Sequence, residues 1–294
     1  MKKSLLLISF CCIFIASMAQ QSRDTVAYGC VYAERYDDIA WENDVVGFRA
    51  YGPGIQNDSQ KLYGYDIFLK RGTSKPILPK MYKDFFAGIS YHEDHGFGMD
   101  CYAVGPTLGA GVTAILDNDG KILYPWCYKE LEILENGPKR FQVRLYFPSF
   151  KYNGADVTEI RTITLDEGMN LNHTKVEYKG LTQPVKIVSG IVLHDDSSVI
   201  TDPDRQYLAY TDPTQGKDNG QVFMGLFFPS PAESLSVIEH DGIKHAVGVN
   251  TYTPGTSFEY YWGFGWERGN IPSMSVWIEL LTDLKKAQLS QGVR

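Results

Sequence analysis

The stretch "TEIRTITLDEGMNLNHTKVEYKG", residues 158–180, decides the fold class. Two strand-like runs flank the turn dipeptide Glu167-Gly168, which is the pattern of a β-hairpin. Similar runs make up most of the chain, and turn dipeptides separate them at Asp119-Gly120, Asn136-Gly137 and Asp241-Gly242. We therefore predict an all-β, antiparallel protein in which at least four strand pairs are hairpins.

The number and length of the strands favour a large two-sheet β-sandwich. No linker, charge block or repeat divides the runs, so residues 20–294 are predicted to form one domain. A C-terminal helix is predicted after a cap at Ser273 or Ser275, and residues 79–86 are compatible with a second, short helix. The C-terminal helix is marked by apolar residues at helical spacing: Val276, Trp277, Leu280, Leu281 and Leu284.

The first 19 residues have the features of a secretory signal peptide. Lys2 and Lys3 precede a short apolar stretch, and Ser17-Met18-Ala19 has the form of a cleavage site. The apolar stretch is too short to span a bilayer, and Cys11 lacks the small preceding residues of a lipoprotein signal. We expect a soluble periplasmic or secreted protein without a lipid anchor.

Cleavage of this peptide would remove two lysines and change the formal charge from −7 to about −9. Such an acidic chain is a poor partner for nucleic acid or an anionic membrane, and an anionic ligand would need local arginine or lysine. Cleavage would leave Cys30, Cys101 and Cys127, which can form at most one disulfide. Cys101 lies in a polar loop and is either a reactive thiol or a small buried residue.

The segment 34–53 is rich in polar groups that precede a strand. The indole of Trp41 offers a flat face for a sugar ring, and Glu42 and Asn43 offer groups that bind hydroxyls. The alternative is a capped turn that enters a strand, with Trp41 in the core. Both interpretations fit the sequence, and Arg49 is expected on the opposite face of that strand from its apolar neighbours.

The segment 91–111, "YHEDHGFGMDCYAVGPTLGAG", concentrates titratable side chains on a glycine-rich loop. Its glycines allow positive φ angles and close approach of a ligand to the backbone. His92 and His95 are three residues apart and could, with Asp94 or Asp100, hold a divalent metal. Proton transfer by an imidazole is the interpretation we favour, and a hydrogen-bonded loop without catalytic function is the third.

Two further segments are richer in polar or aromatic groups than packing requires. A strand ends at His194, Asp195 and Asp196, which either contribute to a site or belong to a turn. The segment "FEYYWGFGWERG", which contains Tyr261 and Trp266, is either a platform for stacking sugars or the surface on which the C-terminal helix packs. Together these groups suit a carbohydrate, particularly an acidic one. No serine nucleophile elbow, phosphate loop or dinucleotide fingerprint is present in the sequence.

Three segments resemble the signature blocks of a family of secreted bacterial proteins catalogued as a domain of unknown function: "RYDDIAWENDVVGFRAYGP" (35–53), "YHEDHGFGMDCYAVGPTLGAG" (91–111) and "YYWGFGWERG" (260–269). The resemblance covers nearly the whole mature chain. It implies a β-supersandwich similar to galactose mutarotase and a place in polysaccharide-utilisation clusters, beside unsaturated glucuronyl hydrolases. The implied substrate is an oligosaccharide that contains uronic acid.

For such a substrate the chemistry within reach is β-elimination by a lyase or dehydratase. Arg35 or Lys129 would neutralise the carboxylate, His92 or His95 would remove the C5 proton, and Tyr102 would exchange a proton with the leaving group. No cofactor is required, although a divalent metal at the histidine pair is an alternative. The residues expected to bind substrate are Trp41, Glu42, Asn43, Asp100, Lys129, His194, Tyr261 and Trp266.

Two other classes of function fit the same residues. A glycoside hydrolase or mutarotase on this fold would also use a histidine and a carboxylate. A periplasmic oligosaccharide-binding protein would bind sugar without changing it. The crowding of titratable groups in residues 92–100 favours catalysis over binding alone.

Overall fold

The computed structural model of this protein describes residues 26–58, 61–72, 75–216 and 218–291. The predicted signal peptide, residues 1–19, lies outside these ranges. Among the described residues, the helices are too short or too polar to cross a membrane.

A five-stranded antiparallel sheet begins the chain, and its strands are paired in sequence order. The strands are β1 (Tyr28–Tyr32), β2 (Asp38–Glu42), β3 (Val46–Ala50), β4 (Tyr65–Lys70) and β5 (Gly98–Met99). Short 3₁₀ helices, Ala33–Arg35 and Pro53–Asp58, follow β1 and β3. We call this sheet the first sheet.

The central sheet has nine strands, and eight of them follow the order β14-β15-β16-β19-β12-β11-β9-β8, with β10 paired to β11. Their bounds are β8 (Glu130–Asn136), β9 (Arg140–Tyr146), β10 (Phe150–Tyr152), β11 (Ala155–Asp166), β12 (Leu171–Lys179), β14 (Ile200–Thr201), β15 (Tyr207–Asp212), β16 (Val222–Phe227) and β19 (Phe258–Trp266).

A third sheet, also of five strands, has the order β17-β18-β13-β6-β7. Its strands are β6 (Val112–Leu116), β7 (Ile122–Leu123), β13 (Val185–Val192), β17 (Ser234–His240) and β18 (Ile243–Tyr252). The described part of the chain also contains two α-helices, α1 (Leu78–Phe86) and α2 (Met274–Gln291). All named strand pairs are antiparallel, and the four predicted turn dipeptides each join neighbouring paired strands.

The main core lies between the central sheet and the two five-stranded sheets. Trp41 and Phe48 of the first sheet contact Trp262 of β19, with ring centroids 6.3 Å and 5.0 Å away. Val188 and Val247 of the third sheet belong to the same buried cluster. The predicted antiparallel sandwich is confirmed.

Both outer helices cover the second face of a sheet. The helix α2 packs Trp277 and Leu281 against the central sheet, in a cluster that includes Phe223 and Phe227. The helix α1 packs Leu78 and other apolar residues against the first sheet. The predicted C-terminal helix is confirmed, as is the helix around residues 79–86. Because both faces of these sheets are covered, many of their strands are buried along their whole length.

Candidate functional site

Arg49 lies at the centre of a buried polar cluster on the face of the first sheet that α1 covers. The register of β3 and β4 places it directly opposite Asp66, and its Nε donates to Asp66 Oδ2 at 3.1 Å. The hydroxyl of Tyr51 donates to the same oxygen at 2.9 Å. Arg49 is 3% exposed and Asp66 1% exposed. Such a buried ion pair is stable only when additional hydrogen bonds satisfy both partners, as they do here.

A second guanidinium and two more carboxyl groups surround this pair. Asp100 Oδ2 lies 3.3 Å from Arg49 Nη2, and Asp38 Oδ2 lies 4.0 Å from Arg49 Nη1. Arg35 Nη1 lies 3.9 Å from Asp38 Oδ2. We call the five residues Arg35, Asp38, Arg49, Asp66 and Asp100 the arginine cluster.

Burial raises the pKa of two carboxyl groups in the arginine cluster. With every group charged, three carboxylates would face two guanidiniums. Burial raises the pKa of Asp38 to about 6. Burial, reinforced by the nearby Asp66 carboxylate, raises the pKa of Asp100 well above its ordinary value. A proton on one of the three carboxyl groups would make the cluster electrically neutral.

A turn in the left-handed region delivers Arg35 and Asp38 to the cluster. Tyr36 and Asp37 have φ angles of 57° and 60°, which are uncommon for residues other than glycine. Two hydrogen bonds hold this turn: the amide of Gly54 donates to the Tyr36 carbonyl at 3.1 Å, and the hydroxyl of Tyr128 donates to the Asp37 carbonyl. Backbone strain of this kind persists where the surroundings enforce it, often at functional sites.

Two atoms of the cluster are buried without a hydrogen-bond partner among the described residues. They are Arg35 Nη1 and Asp38 Oδ2. An unpaired buried donor costs free energy, about 1–3 kcal/mol or more for a charged group. The Arg35 side chain is 19% exposed, so it lies where the cluster meets solvent. A carboxylate that entered here would give Nη1 of Arg35 a hydrogen-bond acceptor.

The loop between Tyr91 and Asp100 places His92 over the arginine cluster. The amide of Asp100 donates to the Tyr91 carbonyl at 2.9 Å and closes the loop. His92 Nδ1 lies 3.0 Å from the carbonyl oxygen of Asp100 and 3.8 Å from its Oδ2. The hydroxyl group of Tyr91 accepts a hydrogen bond from Arg49 Nη1 at 3.2 Å, so this side chain contributes a polar contact as well as apolar packing. The His92 side chain is 55% exposed.

The glycines of this loop serve the protein's own packing more than a ligand. Gly98 has φ 136°, and a Cβ there would meet the Leu69 carbonyl oxygen at 1.8 Å. Gly111 has φ 145°, and its Cβ would meet Trp262 at 2.6 Å. The predicted positive φ angles are confirmed, and at these two positions the close approach is to neighbouring strands.

His95 lies on the outer part of the same loop. Its Nε2 is 2.9 Å from the Ser90 carbonyl, and the residue is exposed. The neighbouring Asp94 accepts hydrogen bonds from the Gly96 amide at 2.9 Å and from Arg71 Nε at 2.6 Å, so it shapes the turn. In the part of the chain that the structure describes, no group of three or more His, Cys, Asp or Glu side chains is arranged to hold a metal ion.

His194 forms a second polar centre beside the loop. Its Nδ1 lies 2.6 Å from Asp212 Oδ2, and its Nε2 lies 2.7 Å from the Ala103 carbonyl. Burial opposes the charged imidazolium, but these two acceptors outweigh it and raise the pKa of His194. The ring of Tyr102 packs edge-on against His194, with centroids 5.1 Å apart. Both ring nitrogens of His194 therefore face acceptors, an arrangement that favours the charged imidazolium.

Tyr102 is buried between the two centres. It is 4% exposed, and its hydroxyl makes no hydrogen bond to any residue that the structure describes. Burial raises the pKa of Tyr102 well above its ordinary value, and the nearby carboxylates of Asp212 and Asp66 raise it further. The phenol of Tyr102 therefore keeps its proton at neutral pH.

Three predicted sugar-binding residues belong to the core instead. Trp41 is fully buried, and its Nε1 donates to Asn172 Oδ1 at 2.8 Å. Glu42 accepts the amides of Ile77 and Leu78, at 2.9 and 2.8 Å, at the start of α1. Asn43 is fully buried and its side chain bonds only backbone groups among the contacts that the structure gives. The expectation of a sugar-binding surface here is wrong, because α1 and the central sheet cover both faces of β2.

The expected aromatic platform in β19 is also absent. Trp266 is 2% exposed, and its Nε1 donates to the Asn219 carbonyl at 2.8 Å. Tyr261 is half-buried and packs with the cluster beneath α2, beside the ring of His173 at 4.7 Å. Packing, the alternative that the sequence left open, therefore explains these aromatic side chains.

The structure also places Lys129 and Cys101. Lys129 precedes the edge strand β8, and its ammonium group lies 3.4 Å from Glu130. Arg35 is thus the better placed of the two predicted carboxylate ligands. Cys101 is 2% exposed, and burial raises the pKa of its thiol to about 12, which fits the small buried residue and not the reactive thiol.

The sequence interpretation missed the residues that organise the site, namely Arg49, Asp66, Tyr51 and Asp212. One signal could have identified the first two. Both are charged residues inside strands whose other positions are mostly apolar, "VGFRA" and "YDIFLK". Charged residues in buried strands are rarely left unpaired. That pattern favours a cross-strand ion pair between neighbouring strands.

Comparison with known proteins identifies a family that covers most of the chain. A family model described as a domain of unknown function, DUF4861, matches residues 15–294. The chain belongs to this family. The chain is also similar to an uncharacterized protein, P7, of Formosa agariphila, with 26% identity over 274 residues that cover 88% of this chain and 67% of the relative. Membership of a domain-of-unknown-function family is thus confirmed, and the DUF4861 match includes every residue of the candidate site.

Proposed function

We propose that this protein is a secreted or periplasmic carbohydrate-active enzyme, a carbon–oxygen lyase or dehydratase. It acts by β-elimination on oligosaccharides that contain uronic acid, during the degradation of polysaccharides. The observation that carries the proposal is the position of His92 against Asp100, in a cluster where Nη1 of Arg35 makes no hydrogen bond to the described residues.

The hydrogen bond of His92 favours its role as the general base. The carbonyl oxygen of Asp100 only accepts hydrogen bonds, so the nearby Nδ1 is the nitrogen that carries the proton. Nε2 then keeps its lone pair, on a side chain that is 55% exposed. By contrast, both nitrogens of His194 face acceptors, which leaves that ring without a free lone pair.

Arg35 is the residue that we assign to the carboxylate of the sugar. Removal of the C5 proton places negative charge on the uronate carboxyl group, and a guanidinium beside it lowers the energy of that state. Nη1 of Arg35 makes no hydrogen bond to the described residues, so it can donate to the uronate without breaking one. Arg49 lies behind it and is already satisfied by Asp66 and Tyr51.

The proposed reaction conserves atoms and charge. His92 Nε2 takes the C5 proton, the electron pair forms the C4–C5 double bond, and the bond from C4 to its oxygen substituent breaks. Tyr102 is the proposed donor to the leaving oxygen, because its phenol is protonated and unpaired within the described residues. The leaving group is water in a dehydratase. In a lyase it is the neighbouring sugar, which leaves with a free hydroxyl group.

The two loop histidines provide a matched pair of variants for a test. We expect His92→Ala to lower turnover by at least about 100-fold, the lower end of what a general base contributes. His95→Ala removes an equally exposed imidazole from the outer part of the loop and should retain activity within a few-fold. Circular dichroism of both variants should match the wild type. Near-wild-type rates for both variants, or loss only in His95→Ala, would contradict the assignment.

Product analysis separates the competing functions. Elimination creates a conjugated unsaturated uronate that absorbs in the ultraviolet, whereas hydrolysis and epimerisation do not. By mass spectrometry, dehydration lowers the substrate mass by one water, hydrolysis adds one water in total, and binding alone leaves the mass unchanged. A hydrolase or mutarotase, or a non-catalytic sugar-binding protein, would each give one of the other patterns.

A further inference from the structure

A cavity of about 600 Å³ lies apart from the loop that carries His92. We call it the aromatic cavity. It is lined on several sides by rings: Tyr63, Tyr124, Trp126, Phe147, Phe150 and Tyr178. The volume falls within the range of about 300–1,000 Å³ that is typical of sites for small ligands.

Trp126, which lines the aromatic cavity, is exposed to solvent. Trp126 is 52% exposed, whereas Trp41, Trp262, Trp266 and Trp277 are at most 2% exposed. Close to it in the lining, the rings of Tyr63 and Tyr124 stack with centroids 5.3 Å apart and an interplanar angle of 13°. Flat apolar faces of this kind match the C–H face of a pyranose ring.

The lining of the cavity also presents polar atoms that a sugar could bind. Glu159 is 3% exposed, and one of its oxygens accepts from Arg161. The hydroxyl group of Tyr124 is buried and makes no hydrogen bond to the described residues, and the hydroxyl group of Tyr178 is buried beside the Glu159 carboxylate. An unpaired buried hydroxyl is costly, and a ligand hydroxyl would satisfy it.

The charges near the cavity favour a neutral ligand. Arg161 forms an ion pair with Glu159, and its guanidinium also donates hydrogen bonds to the Tyr65 hydroxyl and the Thr113 carbonyl. The ammonium of Lys151 lies 2.8 Å from Asp156. These cations already have carboxylate partners, so they attract an anionic sugar less than unpaired cations would, and sugar hydroxyl groups need no charged partner.

We infer that the aromatic cavity is a second sugar-binding site that takes a neutral pyranose residue. One face of the ring stacks on Trp126, and its hydroxyl groups bond to Glu159, Tyr124 and Tyr178. This site is separate from the arginine cluster and does not depend on the elimination chemistry. It would let the protein hold a neutral part of a glycan.

Binding is measurable without turnover because Trp126 is much more exposed than the other four tryptophans. We would titrate the wild type with the methyl glycosides of glucose, galactose, mannose and xylose, and follow tryptophan emission and acrylamide quenching. We expect at least one neutral glycoside to shift the emission and protect Trp126, with a Kd of about 1 mM. The methyl glycoside of glucuronic acid should bind at least about tenfold more weakly, because the nearby cations are paired.

Saturation-transfer NMR extends the test to variants. Trp126→Ala should weaken binding of the same glycoside by at least about tenfold, and Tyr178→Phe, which removes only a hydroxyl, by about two- to tenfold. Val237→Ala, an exposed apolar residue of β17, is the matched control and should leave binding unchanged. The inference is overturned if no neutral glycoside binds, if Trp126→Ala binds as tightly as the wild type, or if indole binds and the sugars do not. A negative elimination assay would not affect it.

Discussion

Asp38 provides a direct test of the electrostatics of the arginine cluster. The side chain is fully buried, one oxygen accepts from the Gly52 amide at 2.8 Å, and the other makes no hydrogen bond within the described residues. Asp38→Asn keeps an oxygen for Gly52 and removes the charge. Burial raises the pKa of Asp38 from 3.8 to about 6, although Arg49 and Arg35 partly oppose this shift.

The sign of the effect follows from linkage. A folded-state pKa above the unfolded value means that folding takes up a proton between the two values. The resulting stability is fully present below the unfolded pKa of 3.8 and is lost as pH rises through about 6. A shift of about 2 pH units corresponds to about 3 kcal/mol over the whole range, of which about 2 kcal/mol falls between pH about 4.5 and pH about 7.5.

Urea denaturation of both proteins across this pH range measures the effect. We expect the unfolding free energy of the wild type to fall by about 2 kcal/mol relative to Asp38→Asn as pH rises. Asp156→Asn, at a carboxylate that is 70% exposed, is the control and should show a flat difference. A flat difference for Asp38→Asn would refute the reasoning. If the unfolding free energy of the wild type instead rises relative to that of Asp38→Asn as pH increases, the two guanidiniums overcome the effect of burial and hold Asp38 ionised.

Three further predictions follow from the surroundings of individual residues. Glu42→Gln leaves the buried ammonium of Lys70 without its carboxylate, so urea denaturation should show a loss of about 3–5 kcal/mol, largely recovered in the double variant with Lys70→Met. Cys101 should react with a thiol reagent far more slowly than Cys30 in the native protein, and a fast-reacting Cys101 in peptide mapping would contradict its burial. Extensive dialysis against a chelator should leave turnover unchanged, whereas activity that is lost and then restored by a divalent cation would support a metal at His92 and His95.

The fold was largely predictable because hairpin signals are local. The dipeptides Asp119-Gly120 and Asp241-Gly242 require φ angles that glycine adopts, and the structure has positive φ at Gly120 and at both Asp241 and Gly242. The C-terminal helix was similarly predictable, since the spacing of Trp277 and Leu281 identifies one apolar face.

The binding surfaces were not predictable in the same way. Alternation indicates which side chains share a face of a strand, but not whether a second layer covers the other face. For Trp41 and Trp266 the covering layers exist, so the aromatic rings are core residues. Trp126, which the sequence interpretation did not select, is the tryptophan with an exposed ring.

The charged part of the site depends on register between distant strands. Arg49 and Asp66 are separated by 17 residues and meet because β3 and β4 pair in one specific register. His194 and Asp212 meet across two different sheets of the sandwich. Neither pair follows from the spacing along the chain. The loop that carries His92 was identified from composition alone, because titratable groups were concentrated there.

Incubation of the purified protein with a panel of uronic-acid oligosaccharides tests the central claim most directly. We expect a new ultraviolet absorbance from the unsaturated uronate, together with a product one water lighter than the substrate or two fragments that sum to its mass. The same signals should be absent with His92→Ala. Products that gain a water without the absorbance, or unchanged oligosaccharides across the whole panel, would contradict the proposal that the arginine cluster and His92 carry out β-elimination.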